Sequence, residues 1–414
     1  MKIQIILGLL ACLSVNQSDT AHAQSTSWQT VDSYRAGLNL GASAGDIGTD
    51  ASGTILYSVG SAIVNDGTHM ATVRASSDAG STWNTLSMFL EPGWSQAHYR
   101  GVSSAPNGNL FVSGQLYDPA IGERWLVRRS SDLGLNWTTV DSPAFGAMGN
   151  NPSAGDIKVA ASGEVYAAGT QAGGSSPFQW VVRKSSLAGD PGSWTSVDVQ
   201  GSIGASEARS IAFNAAGAVF VAGRVANAQN GSATWTVRRS QNQGATWTTV
   251  DAYQETAGLN SGAEGIAITS VGTIYVAGYA RGFTAAKGKS GKGTYYDYWV
   301  VRRSTNGGST WANVDKSTSA DGSILSPTGL TTDAAGSVWV CGYTGPSATP
   351  NQLIVRKATS GSNGTLTWTA SDTFQDGMGA RANGITIDAA GKIFVTGRWA
   401  DSTENWWLTR KLGQ

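Results

Sequence analysis

The sequence predicts an all-β fold, a seven-bladed β-propeller of four-stranded blades whose ring is closed by the N-terminal strand completing the last blade. Three observations predict it. A motif returns at a nearly constant interval along the chain, each interval holds four short strand-like runs, and no long stretch has the apolar spacing of a helix. Tandem four-stranded units that close into a ring are typical of propellers.

The repeat is measured on a glycine that shortly precedes an apolar run, as in "ASGEVYAAG". Successive intervals are 55, 55, 54, 55, 64 and 55 residues. The aligned residues are Gly53, Gly108, Gly163, Gly217, Gly272, Gly336 and Gly391. A fixed period of this kind takes precedence over any local interpretation of the sequence.

Each repeat contains four short runs rich in β-branched and aromatic residues and bounded by turn residues. The last repeat ends at "WWLTRKLGQ" and lacks its fourth run. The missing run is found at residues 27–32, "SWQTVD", and we expect it to be the outer strand of the last blade. A ring gains from this exchange because it removes two free strand edges. We therefore expect residues 24–414 to form a single propeller domain.

Residues 1–23 have the features of a secretory signal peptide. Lys2 is followed by an apolar run from Ile3 to Val15 and by Ala21-His22-Ala23. The run is too short to span a bilayer, and no later segment is apolar enough to do so. A lipoprotein signal ending at Cys12 is the less favoured alternative. We expect an exported protein, periplasmic or extracellular.

The composition narrows the classes of partner. The chain has 28 basic and 28 acidic side chains and a sequence pI near 6.8, so nucleic acid and anionic membranes are not expected partners. Beyond the signal peptide there is one cysteine, Cys341, among apolar neighbours. With His69 and His98 as the remaining histidines, we expect no metal site and no cofactor. We expect a monomer.

A turn motif returns in four repeats as "SSDAGSTW", "SSDLGLNW", "SQNQGATW" and "STNGGSTW". It resembles the Asp-box, or bacterial neuraminidase repeat, of sialidases, sortilin-type receptors and the photosystem II assembly factor family. The resemblance implies a structural turn between the third and fourth strands, facing away from any active site, whose tryptophan packs between blades. The motif residues include Ser76, Asp78, Gly80, Trp83, Asp132, Gly134, Trp137, Trp247 and Trp311. The resemblance extends over residues 24–414 as architecture, and single rings are most similar to the assembly-factor type.

Two charged series accompany the turns. A basic pair ends the third run of most repeats, as in Arg128-Arg129, and an acid follows four residues after each motif tryptophan, as in Asp141. In the first repeat, Ala75 replaces the second basic residue and Ser87 replaces the acid. This joint loss favours cross-strand ion pairs. The alternation of tryptophan and arginine would also fit a sugar or nucleic-acid surface.

Counting eight residues back from each aligned glycine gives the predicted mouth of the innermost strands. Its residues are Gly45, Arg100, Gly155, Arg209, Glu264, Thr328 and Asn383, with Tyr99 and Arg381 nearby. Irregular polar residues on a regular frame indicate a binding rim, and a solvated rim without a ligand is the alternative.

The longest repeat carries an insert within residues 280–298, between its second and third strands. Its basic residues include Lys287 and Lys289, and Tyr295 and Tyr296 follow. We expect this loop on the same face as the rim. A basic, tyrosine-flanked loop suits an acidic glycan or protein, and a flexible linker is the alternative.

The sequence favours a non-catalytic binding or scaffold module that recognises a protein or an extracellular glycan through its loop-bearing face. A sialidase-like glycoside hydrolase is the alternative, because Arg100, Arg209 and Arg381 resemble the arginine triad of that family, with Tyr99 and Glu264 nearby. The early Arg-Ile-Pro motif of sialidases is absent from the sequence. A lectin is third, because the rim residues differ between repeats, whereas equivalent sites would repeat them.

Overall fold

The computed structural model describes residues 28–120, 122–145, 152–173, 176–201, 204–285, 293–318, 324–345, 351–361 and 364–413. The signal peptide predicted at residues 1–23, and Lys287 and Lys289 of the insert, lie outside them. The named elements are all β-strands. None of the described residues belongs to a helix long and apolar enough to cross a membrane.

The strands follow one another in antiparallel hairpins. The N-terminal strand is β1 (Trp28–Tyr34). Strands β2–β5 are Ala42–Thr49, Leu56–Ile63, His69–Ser76 and Asn84–Phe89; β6–β9 are Gln96–Ser104, Leu110–Asp118, Gly122–Ser130 and Thr138–Asp141. Strands β10–β13 are Ser153–Val159, Glu164–Gly173, Ser176–Leu187 and Thr195–Gln200; β14–β17 are Glu207–Phe213, Val219–Ala226, Ala233–Ser240 and Thr248–Tyr253. Strands β18–β21 are Ser261–Ile268, Ile274–Thr284, Thr294–Ser304 and Ala312–Ser317; β22–β25 are Ile324–Thr332, Val338–Gly345, Gln352–Ser360 and Leu366–Phe374. The last three strands, β26–β28, are Gly379–Ile387, Ile393–Ala400 and Asn405–Leu412.

The prediction of seven blades is wrong. The described strands form five separate four-stranded blades and one eight-stranded sheet, which contains β2–β9. The physical reason is a parallel bridge between His69 on β4 and Gln96 on β6, which makes the strands of the first two repeats one hydrogen-bonded sheet. The imidazole rings of His69 and His98 lie 5.2 Å apart at this joint. The four-stranded pattern fits the other blades.

The two ends of the chain meet in one blade. Strand β1 pairs antiparallel with β28, and Trp28 lies opposite Leu412. The last repeat also contacts the first, because the Ala389 N–H donates to the Gly53 carbonyl at 2.9 Å. The hydroxyls of Ser58 and Thr396 are hydrogen-bonded at 2.9 Å in a buried position. These contacts close the architecture on itself.

The core lies between neighbouring sheets. Trp28 of β1 is fully buried, and further fully buried tryptophans come from the third strand of the repeats, namely Trp125, Trp180, Trp235, Trp299 and Trp407. Several of them lie over a glycine of the next repeat, and a Cβ built at Gly223 would be 2.6 Å from the Trp180 ring. The absence of a side chain therefore allows the close approach of indole and backbone. Cys341 is buried as well, and burial raises its pKa to about 12.

The recurring turn is built from its own serine and acid or amide. The Gly80 N–H donates to Ser76 Oγ at 2.9 Å, and the Thr82 N–H donates to Asp78 Oδ1 at 2.8 Å. Ser130 and Asp132 repeat this pattern in the next turn. Asn242 and Asn306 make the same bonds without a charge. The turn is therefore closed by local hydrogen bonds to side-chain oxygens.

The turn is also held by the preceding repeat. Its residue with positive φ presents a carbonyl that accepts from the second basic residue of the basic pair: Lys411 donates to Ala79 at 2.7 Å, and Arg129 to Ala188 at 2.6 Å. Lys184, Arg239 and Arg303 bind Gln243, Gly307 and Gly364 in the same way. Where Ala75 lacks the charge, the Tyr57 hydroxyl donates to the Leu133 carbonyl at 3.1 Å.

The expected ion pairs exist, but with different partners. The acid pairs with the first arginine of the following repeat, not with the second basic residue of its own. Each such arginine lies beside a β-bulge whose extra residue belongs to the neighbouring outer strand. The pairs are Asp32–Arg74, Asp141–Arg183, Asp198–Arg238, Asp251–Arg302, Asp315–Arg356 and Asp372–Arg410. The charged series therefore joins neighbouring repeats.

Candidate functional site

A cavity of about 320 Å³ lies among the first strands of the repeats. All the residues of the predicted mouth line it: Gly45, Arg100, Gly155, Arg209, Glu264, Thr328 and Asn383. The structure therefore brings together side chains that are as far apart in sequence as residues 45 and 383. We call this set the mouth ring.

The mouth ring has a common backbone origin. Each member is the extra residue of a β-bulge between the first and second strands of its repeat; Arg100, for example, falls in the register shift between Tyr99 and Gly101. Equivalent shifts flank the other members. Because a bulged residue is not paired across the ladder, its side chain is turned out of the sheet. The bulges therefore explain why these residues share one cavity.

The charges of the ring are concentrated on one side. Arg209 forms an ion pair with Glu207 and lies 3.5 Å from Glu264 (Nε to Oε2). Arg224 also pairs with Glu207 and donates to the Tyr279 hydroxyl at 2.8 Å. Burial raises the pKa of Glu264, although Arg209 opposes the shift. This side of the mouth presents alternating donors and acceptors in fixed positions.

Arg100 is the more available cation of the ring. Its guanidinium donates to the Gln115 amide oxygen at 3.2 Å, and its side chain is exposed. The cavity wall removes part of the water around this side chain, and that loss, followed by repulsion from Arg209, lowers the pKa of Arg100. Two cations that repel each other across a cavity favour an anionic or strongly polar ligand between them.

The cavity wall contains charges that the sequence reasoning missed. Asp156 Oδ1 lies 3.0 Å from Lys158 Nζ, and Asp156 Oδ2 accepts from the Ile211 N–H at 2.9 Å. Asp46 Oδ2 accepts from the Val102 N–H at 3.2 Å. Burial raises the pKa of Asp46 to about 6. Their position in the sequence could have indicated Asp46 and Asp156, since each directly follows a glycine of the mouth ring.

Some predicted site residues lie outside the cavity lining or are engaged in contacts within the protein. Tyr99 is buried, and its hydroxyl accepts from Arg128 Nη1 at 3.2 Å, so this side chain is not part of the mouth. Asn383 lines the cavity but donates to the Ala44 carbonyl at 2.6 Å, which joins the last repeat to the first. Arg381 lies two residues before Asn383 with its guanidinium 4.5 Å from the centre of the Tyr343 ring.

The described part of the insert is a hairpin that extends β19 and β20. Tyr295 and Tyr296 are 58% and 39% exposed. The Phe283 and Tyr295 rings lie 4.9 Å apart, and Arg281 forms a 3.1 Å ion pair with Asp297. Because the second strands end at the level where the first strands begin, this hairpin rises from the same face as the mouth ring.

The described ranges contain no evident set of metal ligands. Within them, no group of three or more histidine, cysteine, aspartate or glutamate side chains is placed to hold an ion.

Comparison with protein-family models gives no match, and comparison with curated proteins gives none either. Solved structures do match. A protein of unknown function from Dyadobacter fermentans is 11% identical, with a TM-score of 0.53, and the match covers 94% of this chain and 100% of that one. An α-L-arabinofuranosidase of Fusarium graminearum, in complex with an iminosugar inhibitor, is 11% identical with a TM-score of 0.51, covering 94% and 98%.

A third similar structure is an α-L-arabinanase of Penicillium chrysogenum complexed with arabinobiose. It is 14% identical, with a TM-score of 0.45 and coverage of 76% and 92%. At these identities the likeness concerns the fold and not the chemistry. The strand order and the first two of these structures lead to one conclusion: the chain is an all-β β-propeller built on four-stranded units.

Proposed function

We propose that this chain is a non-catalytic glycan-binding propeller whose ligand occupies the mouth ring. The observation that carries the proposal is the convergence of bulged polar residues, Arg100, Arg209 and Glu264 among them, on one cavity. Ligand sites combine a concave surface with a few fixed polar groups, and this cavity has both.

Carbohydrate is the ligand class that best suits the lining. Arg209 and Glu264 present a donor and an acceptor in the lining, and the Glu207–Arg224 pair beside it holds Arg209. Sugar hydroxyls both donate and accept. Exposed tyrosines on the neighbouring hairpin add apolar faces. The structural neighbour with an iminosugar inhibitor supports the same class of ligand.

The test is binding of the chain without residues 1–23 to a broad glycan array, repeated with Arg100→Ala and with Lys316→Ala as the control. Lys316 is a half-exposed cation paired with Glu255 outside the cavity lining. We expect saturable binding that Arg100→Ala abolishes and Lys316→Ala leaves unchanged. A blank array would contradict the proposal and favour a protein partner on this face.

One observation favours a glycoside hydrolase as the second candidate. The raised pKa of Glu264 is what a general acid needs, since a protonated carboxyl can protonate a leaving group. The test is hydrolysis of aryl arabinofuranosides and aryl sialosides by the chain and by Glu264→Gln. Turnover that falls at least ~100-fold in Glu264→Gln would support catalysis, because general acid catalysis is worth about that much. Absence of turnover above the buffer rate would contradict it.

We also propose that residues 1–23 direct export and are removed, and that the recurring turns are Asp-box turns. The "AHA" at residues 21–23 supports the first proposal, and the serine, acid and glycine contacts of the turn support the second. Sequencing the N-terminus of the mature protein tests export: a start at Gln24 agrees with it, and a start at Met1 contradicts it.

A further inference from the structure

Two arginines face each other beside the mouth ring. Arg381 on β26 lies directly opposite Arg398 on β27. At the equivalent position of another blade, Glu207 on β14 lies opposite Arg224 on β15 and forms an ion pair with it. In the last blade an arginine stands where that glutamate would be, so one blade provides an internal comparison for the other.

The protein holds Arg381 in place without neutralising it. Its guanidinium lies over the Tyr343 ring. With the Asn351 amide oxygen turned toward it, Arg381 donates to that oxygen from Nε at 2.9 Å and from Nη2 at 2.8 Å. A ring face and a neutral amide position a guanidinium, but they add no negative charge.

Arg398 has fewer contacts than Arg381 to hold its guanidinium in place. Across the described ranges, no hydrogen bond or ion pair reaches its guanidinium from the protein. The Asp401 carboxylate, three residues further along the chain, accepts from Trp406 Nε1 and from the Thr403 and Glu404 N–H groups. Burial and then repulsion from Arg381 lower the pKa of Arg398. Both arginines are only half-buried, so a ligand can reach them from solvent.

Like charges directly opposite each other on neighbouring strands are destabilising. Arginine forks match the oxygens of a carboxylate, sulfate or phosphate, and such charge-assisted hydrogen bonds are strong. We propose that Arg381 and Arg398 form an oxyanion subsite, so that the glycan bound at the mouth ring is an acidic one bearing a carboxylate or a sulfate ester. This inference rests on the proposed glycan-binding function. Asn383, two residues along β26, connects the subsite to the ring.

The first experiment uses inorganic sulfate as the probe. Thermal unfolding is measured with sulfate and with chloride at equal ionic strength, for the mature chain, Arg398→Gln and Lys316→Gln. Sulfate stabilises folded proteins generally, because it is excluded from their surfaces. We therefore expect its Tm shift over chloride to be larger in the chain and in Lys316→Gln than in Arg398→Gln. Arg398→Gln should unfold at a higher temperature than the parent without sulfate, because it removes a repulsion. Equal sulfate shifts in all three proteins would overturn the subsite.

The second experiment titrates three oligosaccharides that share a backbone length: a neutral one, a uronate-bearing one and a sulfated one. We expect an acidic ligand to bind and Arg398→Gln to weaken it at least ~tenfold, as loss of a charge-assisted hydrogen bond does. The acidic ligand that loses more identifies the oxyanion. Acidic and neutral ligands that bind equally to parent and Arg398→Gln would overturn the subsite but keep glycan binding. Sulfate binding lost in Arg398→Gln, with no glycan bound, would keep the subsite and overturn the proposed function.

Discussion

Arg128 differs from the other arginines of its series because no carboxylate of the described residues pairs with it. It is 8% exposed. The position that supplies the acid elsewhere is Ser87, which lies opposite Val73 just as Asp141 lies opposite Val127. Arg128 instead lies 3.5 Å from the centre of the Phe89 ring and donates to Tyr99. Tyr99, predicted at the binding rim, therefore partly replaces a missing ion-pair partner.

Ser87→Asp is expected to stabilise the protein. It supplies a carboxylate to a cation that is already buried, so the desolvation of Arg128 is not a new cost. Hydrogen bonds to charged groups contribute about 1.5–3 kcal/mol, and we expect a gain in the free energy of unfolding of about 1–3 kcal/mol. Urea unfolding at pH 7 measures it.

Ser87→Asn is the matched control, since asparagine has the shape of aspartate without its charge. It should give less than half of the stabilisation expected of Ser87→Asp. The double variant Ser87→Asp with Arg128→Met should lose the gain. If Ser87→Asp were equally stabilising in the Arg128→Met background, the stabilisation would not come from an ion pair.

Asp46 is expected to make the stability of the folded protein depend on pH, and its burial sets the sign of that dependence. Its pKa is about 6 in the folded protein and about 4 in an unfolded chain. The folded state therefore binds its proton more tightly, and stability from this group falls as the pH rises from about 4 to about 6. Asp46→Asn removes that loss and should be the more stable protein above pH 6, by at most about 3 kcal/mol.

The measurement is the unfolding free energy of the parent and Asp46→Asn between pH 3.5 and pH 7.5. The two proteins should be closest at the acid end and diverge through the window. Asp66→Asn serves as control, because Asp66 is a turn residue whose pKa is lowered by its hydrogen bonds to Thr68. A difference between Asp46→Asn and the parent that is constant over pH would contradict a raised pKa.

At the scale of elements, the strands follow the repeat closely, and the mouth ring could be predicted by counting from the aligned glycines. Those glycines have positive φ and occupy the turn between the first and second strands. A constant offset therefore reaches equivalent backbone positions. The position of Tyr99 outside the cavity could not be predicted, because the burial of Tyr99 depends on Arg128 in the next hairpin. Asp46 and Lys158 were missed because they act only where separate repeats meet.

Strand β1 should be essential to the blade that it completes. Trp28 is 1% exposed, packs in a cluster with Trp339 and Leu408, and donates from Nε1 to Ser371 Oγ at 3.1 Å. Trp28→Ala removes this packing and is expected to cost about 3–5 kcal/mol. Denaturant unfolding measures the loss.

Trp406→Ala is the control for Trp28→Ala, because Trp406 is a half-buried tryptophan of the same blade. It should cost clearly less. If both variants lost the same stability, β1 would be no more important than a partly buried residue at the end of the blade.

At the scale of the whole molecule, the sequence predicted a closed ring of repeats more reliably than it predicted the sheets. The repeat period shows which residues are equivalent along the chain, whereas the joint between β4 and β6 depends on one contact between His69 and Gln96. For the same reason the acids and arginines were paired within repeats. A series of identical spacings cannot distinguish a partner in the same repeat from the equivalent partner in the next.

A closed ring has no weak end, and this property can be measured. Asp32–Arg74 joins the last blade to the first repeat, and Asp251–Arg302 joins two units in mid-chain. Both pairs are buried and bidentate, with Nε to Oδ2 distances of 2.7 Å. Removing one partner of such a pair costs about 3–5 kcal/mol.

We expect Asp32→Ala and Asp251→Ala to lower the unfolding free energy equally, within about 1 kcal/mol, with one cooperative transition each. In an open array the Asp32 variant would instead release the terminal blade in a separate early transition. A second transition in Asp32→Ala alone, seen by tryptophan fluorescence and circular dichroism at different denaturant midpoints, would therefore contradict closure.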